Sequence, residues 1–336
     1  MAWKEIEFAN VLVVLSSTAE DREIEVRISG ANSYGQLAQG FKSEQCPIPT
    51  KVCTDTDPAS IVSIVGGGGH TMLLDKHGRL FGCGYNSKGQ LGVEGKMEVL
   101  SFEQVTSLGD YAIESVACSW DSTFAITRCG RFFVWGSNTY GQLGVPKHEV
   151  TFSPTPIEVP LPTIQHVSSG LRHSAMVTKE GCVIVCGNIK ERGPWDELFK
   201  KTEEENGVPG LPNIQKVVCG QHHTIAQSVD GRIFGWGDNK HGQLGLDPST
   251  HPYVYTPLEL QQLIAAPDNE VFTGWTHTAV LTDNGDVMSW GWNEHGNCGT
   301  GSLENVTTPA VLDTLRKTSL IGAGAGHSFA VIEPDY

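Results

Sequence analysis

One nine-residue pattern, G-x-N-x-x-G-Q-L-G, returns along this chain at nearly constant spacing, and a fixed period of about fifty residues constrains the fold more than any single motif could. It reads Gly30-Ala-Asn-Ser-Tyr-Gly-Gln-Leu37, then Gly84-Tyr-Asn-Ser-Lys-Gly-Gln-Leu-Gly92, then Gly136-Ser-Asn-Thr-Tyr-Gly-Gln-Leu-Gly144. It returns as Gly237-Asp-Asn-Lys-His-Gly-Gln-Leu-Gly245 and, varied, as Gly291-Trp-Asn-Glu-His-Gly-Asn-Cys-Gly299. A worn copy opens at Gly187-Asn188 and lacks the Gln-Leu-Gly part. Successive starts lie 54, 52, 51, 50 and 54 residues apart.

A second pattern, G-x-x-H-[ST], precedes most copies by fourteen residues, with His70, His173, His223, His277 and His327. Asp121, within Ser119-Trp120-Asp121-Ser122-Thr123, is read as holding the sixth His place. After each His comes a short apolar run such as Thr71-Met-Leu-Leu74, and then a glycine turn such as Asp230-Gly231 or Asn284-Gly285. Those dipeptides signal hairpins, because tight turns need positive φ. A second strand follows, often with a large residue before the motif glycine: Trp135, Trp236 and Trp290. About thirty-seven residues then separate each motif glycine from the next His, with recurring apolar runs such as Ile61–Val65 and Ile214–Val218. That leaves room for two more strands, so each unit reads as a four-stranded blade.

Six such units predict an all-β, closed β-propeller of six blades, with seven as the alternative. Repeats run from about residue 23 to 332 of a single domain spanning 1–336, and residues 1–22 form an extra strand and turn. The segment Gly324–Ile332 is expected to pair with Glu23–Gly30 and close the ring, removing exposed edges. Residues 5–15 read as one further strand without an assigned place, either an added outer strand or part of a seventh blade.

Composition narrows the function. The net charge of −15 argues against nucleic acid or an anionic membrane as main ligand. Nine cysteines, none with C-x-x-C spacing, read as small core residues in a reduced compartment. The expected location is the cytoplasm, extending to the nucleus. Val11–Leu15 follows Glu5 and Glu7 and is too short to span a bilayer. Asn305-Val306-Thr307 is a formal sequon with no secretory signal to give it meaning. No H-E-x-x-H, G-x-S-x-G or Walker loop occurs, and Gly66–Gly69 runs into His70 rather than Lys-Ser/Thr. A His repeated in five units is a structural device, since an active site needs one arrangement. No catalytic residue, metal site or cofactor is therefore expected.

The paired motifs resemble the regulator of chromosome condensation family, from about Ile24 to Ile332. The resemblance extends through Gly66-Gly-Gly-Gly-His70, Gly170-Leu-Arg-His173, Gly274-Trp-Thr-His277 and Ser289-Trp-Gly-Trp-Asn-Glu-His-Gly296. Family propellers usually have seven blades, where six full repeats are visible here. The secretion-linked guanine nucleotide exchange factors of that family are the most similar in these stretches. This implies a protein partner, either a small GTPase or an exocyst-type secretion component. An exchange wedge would be an insertion. The motif intervals leave room for none, and the best candidate is Lys190–Asn213, with Trp195 and Glu203-Glu-Glu205. Trp120-Asp121 and Trp290–Gly299 also resemble a fungal propeller that pairs with a small CSL-type zinc protein. That relative acts in diphthamide synthesis and Elongator-dependent tRNA modification, which implies the alternative partner.

The expected partner-binding residues stand beside the repeat His or depart from the motif: Trp120, Asp121, Arg172, His222, Trp275, Trp292, Glu294 and His295. Trp120, Arg172, His222 and Trp275 are read as one structural place in successive blades. Trp and Arg are typical interface anchors. The competing reading packs each Trp between blades. The protein is expected to be a monomer on its own.

Overall fold

The computed structural model describes residues 5–7, 11–17, 24–188, 207–263, 266–315, 317–324 and 328–332. Apart from two short 3-10 turns, its regular elements are all strands. Two compact units emerge, Met1–Ile164 and Gln165–Tyr336.

Unit 1 contains β1 (Glu5–Glu7), β2 (Val11–Ser17), β3 (Ile24–Asn32), β4 (Ser43–Lys51), β5 (Ile61–Gly66), β6 (His70–Asp75), β7 (Leu80–Tyr85), β8 (Glu98–Gln104), β9 (Ile113–Cys118), β10 (Ser122–Thr127), β11 (Phe132–Ser137) and β12 (Phe152–Glu158). They form three sheets, ordered β2-β3-β4, β1-β5-β6-β7-β8 and β12-β11-β10-β9.

Unit 2 begins with β13 (Ile164–Ser169), whose first residue is the boundary. It continues through β14 (His173–Thr178), β15 (Val183–Gly187), β16 (Ile214–Cys219), β17 (His223–Ser228), β18 (Ile233–Asp238), β19 (Tyr253–Glu259), β20 (Glu270–Thr273), β21 (His277–Leu281), β22 (Val287–Gly291), β23 (Val306–Val311), β24 (Thr318–Ala323) and β25 (Ser328–Ile332). Its sheets are β13-β14-β15, β16-β17-β18-β19, β20-β21-β22-β23 and β24-β25.

The predicted four-strand unit is thus an antiparallel meander. In five of the repeats the residue at the His place pairs with the motif glycine: His70 with Gly84, Ser122 with Gly136, His173 with Gly187, His223 with Gly237 and His277 with Gly291; in the first, Gly30 pairs with Val11 instead. The hairpin glycines Gly78, Gly130, Gly181, Gly231 and Gly285 all take φ between 78° and 86°. Asp230 and Asn284 are not among the positive-φ residues. The turn is therefore not the mirror-image type that needs both central residues at positive φ. A type I turn with glycine at the left-handed position takes its place.

β6, β10, β14 and β17 are buried along their whole length, while β4, β8, β12 and β19 are partly exposed. Strands covered on both faces read as continuous rather than alternating apolar runs. This is why the run after each His was legible and the outer strands were not. In unit 1 the inner strands build a core around Met72, Leu91, Phe133 and Trp135. In unit 2 the corresponding core holds Ile225, Phe234, Trp236 and Trp290.

The N-terminal expectation needs correction. The strand expected to receive Gly324–Ile332 is β3, and both its edges are filled within unit 1. Val11–Ser17 pairs along one edge and β4 along the other. β25 pairs with β24. The strand expected at residues 5–15 is two strands, β1 running parallel on β5 and β2 antiparallel on β3. Of the nine cysteines, Cys83, Cys118, Cys219 and Cys298 are buried as expected, but Cys53, Cys129 and Cys182 are exposed.

Candidate partner-binding face

The loops of this face are held by three buried polar devices, each repeated. The motif Asn comes first. Asn138 is fully buried, donates to the carbonyls of Val145 and Val150 (2.9 and 2.7 Å) and accepts from the Leu143 amide (3.0 Å). Asn86 and Asn239 repeat this pattern with Leu91 and Leu244. The motif Gln comes next: Gln36, Gln90, Gln142 and Gln243 each accept from the amide two residues earlier, at 2.9 Å.

The third device joins one repeat to the next. Thr123 donates its hydroxyl proton to the Gln90 carbonyl, and Thr278 donates to Gln243, both at 2.7 Å. Each hydroxyl has one proton, so it can only accept from the preceding repeat's His. His70 Nε2 lies 3.0 Å from Thr123 Oγ1, and His223 Nε2 lies 3.3 Å from Thr278 Oγ1. Both rings are therefore the neutral Nε2–H tautomer. Their Nδ1 atoms, like that of His173, are buried without a hydrogen-bond partner. Burial holds His70, His173 and His223 far below the usual imidazole range, at about 3. The glycine of G-x-x-H is explained here too. A Cβ on Gly67, Gly220 or Gly274 would run into its own His ring and a carbonyl of the following repeat.

These devices make the repeat His structural and present the residues before it. Fourteen residues before Gly136 is Ser122, which starts β10 and donates to the Ser137 carbonyl at 2.7 Å. Ser122 therefore holds the His place, and Asp121 is one residue earlier. Two positions follow from this, not one. Trp120 and Trp275 stand two residues before the His place, with Gly68, Leu171 and Gln221. Asp121, Arg172 and His222 stand one before it, with Gly69 and Thr276. The carbonyl of the second position accepts the amide after the motif glycine in each repeat: Gly69 from Tyr85, Asp121 from Ser137, Arg172 from Asn188, His222 from Asp238 and Thr276 from Trp292.

In unit 1 this brings Tyr34, Tyr85, Trp120 and Asp121 to one set of loops. Trp120 is 42% exposed, with its ring lying on Gly68, where any Cβ would overlap it. The Gly68 amide donates to the Trp120 carbonyl at 3.0 Å. Tyr34 covers Gly69 and packs against Tyr85, ring centroids 4.6 Å apart. The three-glycine run Gly67–Gly69 is thus a seat for two aromatic rings, not a phosphate cradle. Asp121 is half-buried. Burial raises its carboxyl above the usual range, while a Ser137 hydrogen bond and the Lys88 charge pull the other way. We expect Gly68→Val to displace Trp120. Intrinsic fluorescence should report a more solvated indole, with a melting temperature within about 4 °C of wild type, as for a change of ~1 kcal/mol in a unit this size.

In unit 2 Trp275, Arg172, His222 and Trp292 are half-buried, and Glu294 and His295 are exposed. Trp292 meets His295 edge to face at 4.9 Å. The large Trp residues before the motif glycines are a different class. Trp135, Trp236 and Trp290 are fully buried, and the indoles of Trp135 and Trp290 donate to the Gln90 and Gln243 carbonyls at 2.9 and 3.0 Å. Inter-sheet packing therefore claims these three, while Trp120 stays on the surface. Most of the wedge candidate Lys190–Asn213, including Trp195 and Glu203–Glu205, lies outside the described residues, as does His327. Sequence reading missed Tyr34, Tyr85 and Lys88. Their signal was the variation at the free positions of the motif. No cluster of His, Cys, Asp or Glu able to hold a metal occurs among the described residues.

A family profile described as RCC1-like domain matches residues 25–335. The chain belongs to the RCC1-like domain family. It is 31% identical to the mouse secretion-regulating guanine nucleotide exchange factor, over 90% of this chain and 82% of that protein. The cattle protein of the same name is 34% identical over 90% and 71%. Human WBSCR16 superposes with a TM-score of 0.80 at 22% identity, covering 98% of this chain and 86% of that one. Prp20p from Saccharomyces cerevisiae, whose structure is reported with its binding properties to Gsp1p and histones, gives 0.74 at 20% identity, over 97% and 79%. The RCC1-like chain thus has the β-propeller fold of its structural neighbours, built on the repeats that its sequence displays.

Proposed function

We propose that this RCC1-like propeller is a non-catalytic interaction module that binds a small GTPase as exchange factors do. The loops around Trp120 and Asp121 form its principal contact. One observation carries the reading: identity of 31–34% to curated guanine nucleotide exchange factors across 90% of the chain. The physical features of the face support it. An indole held on a glycine seat is already ordered, so little conformational entropy is lost when a partner covers it. Aromatic anchors of this kind carry a disproportionate share of binding energy. The Asp121 carboxylate and the −15 net charge favour a partner with a basic contact face. The reading takes Arg172, His222, Trp275, Trp292, Glu294 and His295 as the corresponding loop residues of unit 2. On this reading the repeats form one propeller domain, monomeric, in the cytoplasm or nucleus.

The test is a binding titration of the full chain against a panel of purified small GTPases, GDP-bound and nucleotide-free. One member should bind, and Trp120→Ala should weaken it at least ~tenfold, as removal of a hot spot does. The variant's melting temperature should stay within about 4 °C of wild type. Binding of an exocyst-type secretion component or a small CSL-type zinc protein, with no GTPase bound, would replace this reading.

A further inference from the structure

At the end of β6 remote from the Trp120 loops, the hairpin turn of the second repeat departs from the other repeats in two linked ways. The first concerns the residue that closes the turn. Thr127, Thr178 and Thr282 hold this place in later repeats, and each hydroxyl accepts the amide four residues on, at 2.9, 3.2 and 3.1 Å. In the second repeat the place belongs to Asp75, a buried carboxylate. It accepts the amides of His77 and Arg79, both at 2.9 Å. It also holds the Arg79 guanidinium, through Nε at 2.7 Å and Nη2 at 2.6 Å.

The second departure lies on the outer strand. Arg79, Arg131 and Arg232 each stand two residues before a Phe. Those residues, Phe81, Phe133 and Phe234, pair with Gln104, Glu158 and Glu259. Arg131 meets Glu158 through Nη1 at 3.2 Å, and Arg232 meets Glu259 through Nη1 at 3.7 Å. In the second repeat the glutamate is replaced by neutral Gln104. The carboxylate that anchors the arginine has thus moved from the outer strand into the buried turn. Arg79 is fixed by Asp75 and lies over the Phe81 ring, 5.6 Å from its centroid. Its contacts with Asp75 use Nε and Nη2, so Nη1, the atom that the glutamates hold elsewhere, stays on offer. One arginine with two carboxylates has a precedent in this chain: Arg232 holds Asp230 through Nε at 2.9 Å and Glu259 through Nη1.

Beside Arg79 the surface opens into a pocket of about 240 Å³. Buried Leu80, Val105 and Leu108 line it, together with exposed Arg79, Gln104 and Asp110. Further cations flank the turn. Arg128 donates from Nη2 to the Lys76 carbonyl at 2.7 Å, which brings the next turn's arginine beside the first turn. Lys76, Arg79 and Arg128 therefore stand together on a chain whose net charge is −15. A pre-positioned guanidinium with cations beside it suits a run of acidic side chains, one in the pocket and its neighbours on the flanking charges. We propose that this pocket binds an acidic segment of a partner protein, one glutamate of which meets Arg79 in the place that Glu158 and Glu259 fill in their own repeats.

A fluorescein-labelled peptide, Ser-Gly-Glu-Glu-Glu-Glu-Gly-Ser, serves as probe, with a copy carrying Gln for every Glu as control. Fluorescence anisotropy with the full chain in low salt should show saturable binding of the acidic peptide alone, weakening as salt screens the charges. Gln104→Glu restores the residue type of the two other repeats, so the fold should tolerate it, with melting temperature as the check. It should weaken the peptide at least ~tenfold, because its own carboxylate competes for Arg79 and repels the ligand. Asp110→Asn removes a like charge from the rim and should tighten binding about threefold, the scale of an exposed charge pair. No saturation, equal binding of the two peptides, or wild-type affinity in Gln104→Glu would overturn the proposal. Free glutarate binding as tightly as the peptide would assign the pocket to a small dicarboxylate and overturn it as well.

Discussion

Lowering the pH from 6.5 towards 4 is expected to unfold this protein over a narrow range. His70, His173 and His223 stay neutral in the folded chain down to about pH 3, whereas unfolded imidazoles take up protons from about pH 6.5. The unfolded state thus binds more protons throughout that window, so stability rises with pH there and is fully present above it. Each group contributes about 1.4 kcal/mol per pH unit well below its unfolded pKa. Three together give a slope of roughly 4 kcal/mol per unit, a large fraction of a typical folding free energy. The cause is burial, which penalises the charged ring: a proton on Nδ1 would be buried with no acceptor, and in His70 and His223 Nε2 is already committed as donor to the next repeat's hydroxyl. Urea midpoints between pH 7 and pH 5 check this. A His223→Gln variant should be less stable at pH 7 and show a pH slope shallower by about one proton. A flat profile from pH 7 to 5 would show that the rings are accessible in the native state.

Asn138→Ala should be the most damaging single substitution in the loops. It removes the acceptor of the Leu143 amide and the donor to two carbonyls, all at a fully buried position. Leaving such groups unpaired costs about 1–3 kcal/mol each. Because the loop can relax or admit water, about 3 kcal/mol is expected in total. In a unit of this size that is a fall of roughly 6–12 °C in melting temperature. Asn138→Asp should be no better, since it keeps the acceptor but turns a carboxylate oxygen towards two carbonyls. A loss under 2 °C for the Ala variant would mean that the motif Asn is not what holds the loop.

Much of this architecture is legible in the sequence. The motif period marked each unit, the glycine turns marked the hairpins, and the Trp residues before Gly136, Gly237 and Gly291 marked the buried strand. All three are local signals with a direct physical cause. Non-local features were harder. The apolar run Val11–Leu15 announced a strand, but its pairing with β3 depends on which edge is free. The third repeat misled for a different reason: with Ser122 in the His place, Asp121 looked like the polar replacement. The fourteen-residue spacing pointed to Ser122 throughout. Trp120 and Trp135 could not be told apart by residue type. Only the fold shows one ring open on a glycine seat and the other buried against the neighbouring sheet.

The most direct test of the proposed function is a hydrogen-exchange footprint of the full chain with and without the bound small GTPase. Exchange should slow at the amides of Gly67–Gly69, Ser119–Ser122 and Ser137–Tyr140, with the same footprint weakened by Trp120→Ala. Protection confined to the outer strands β4, β8 or β12, with those loops unchanged, would contradict it.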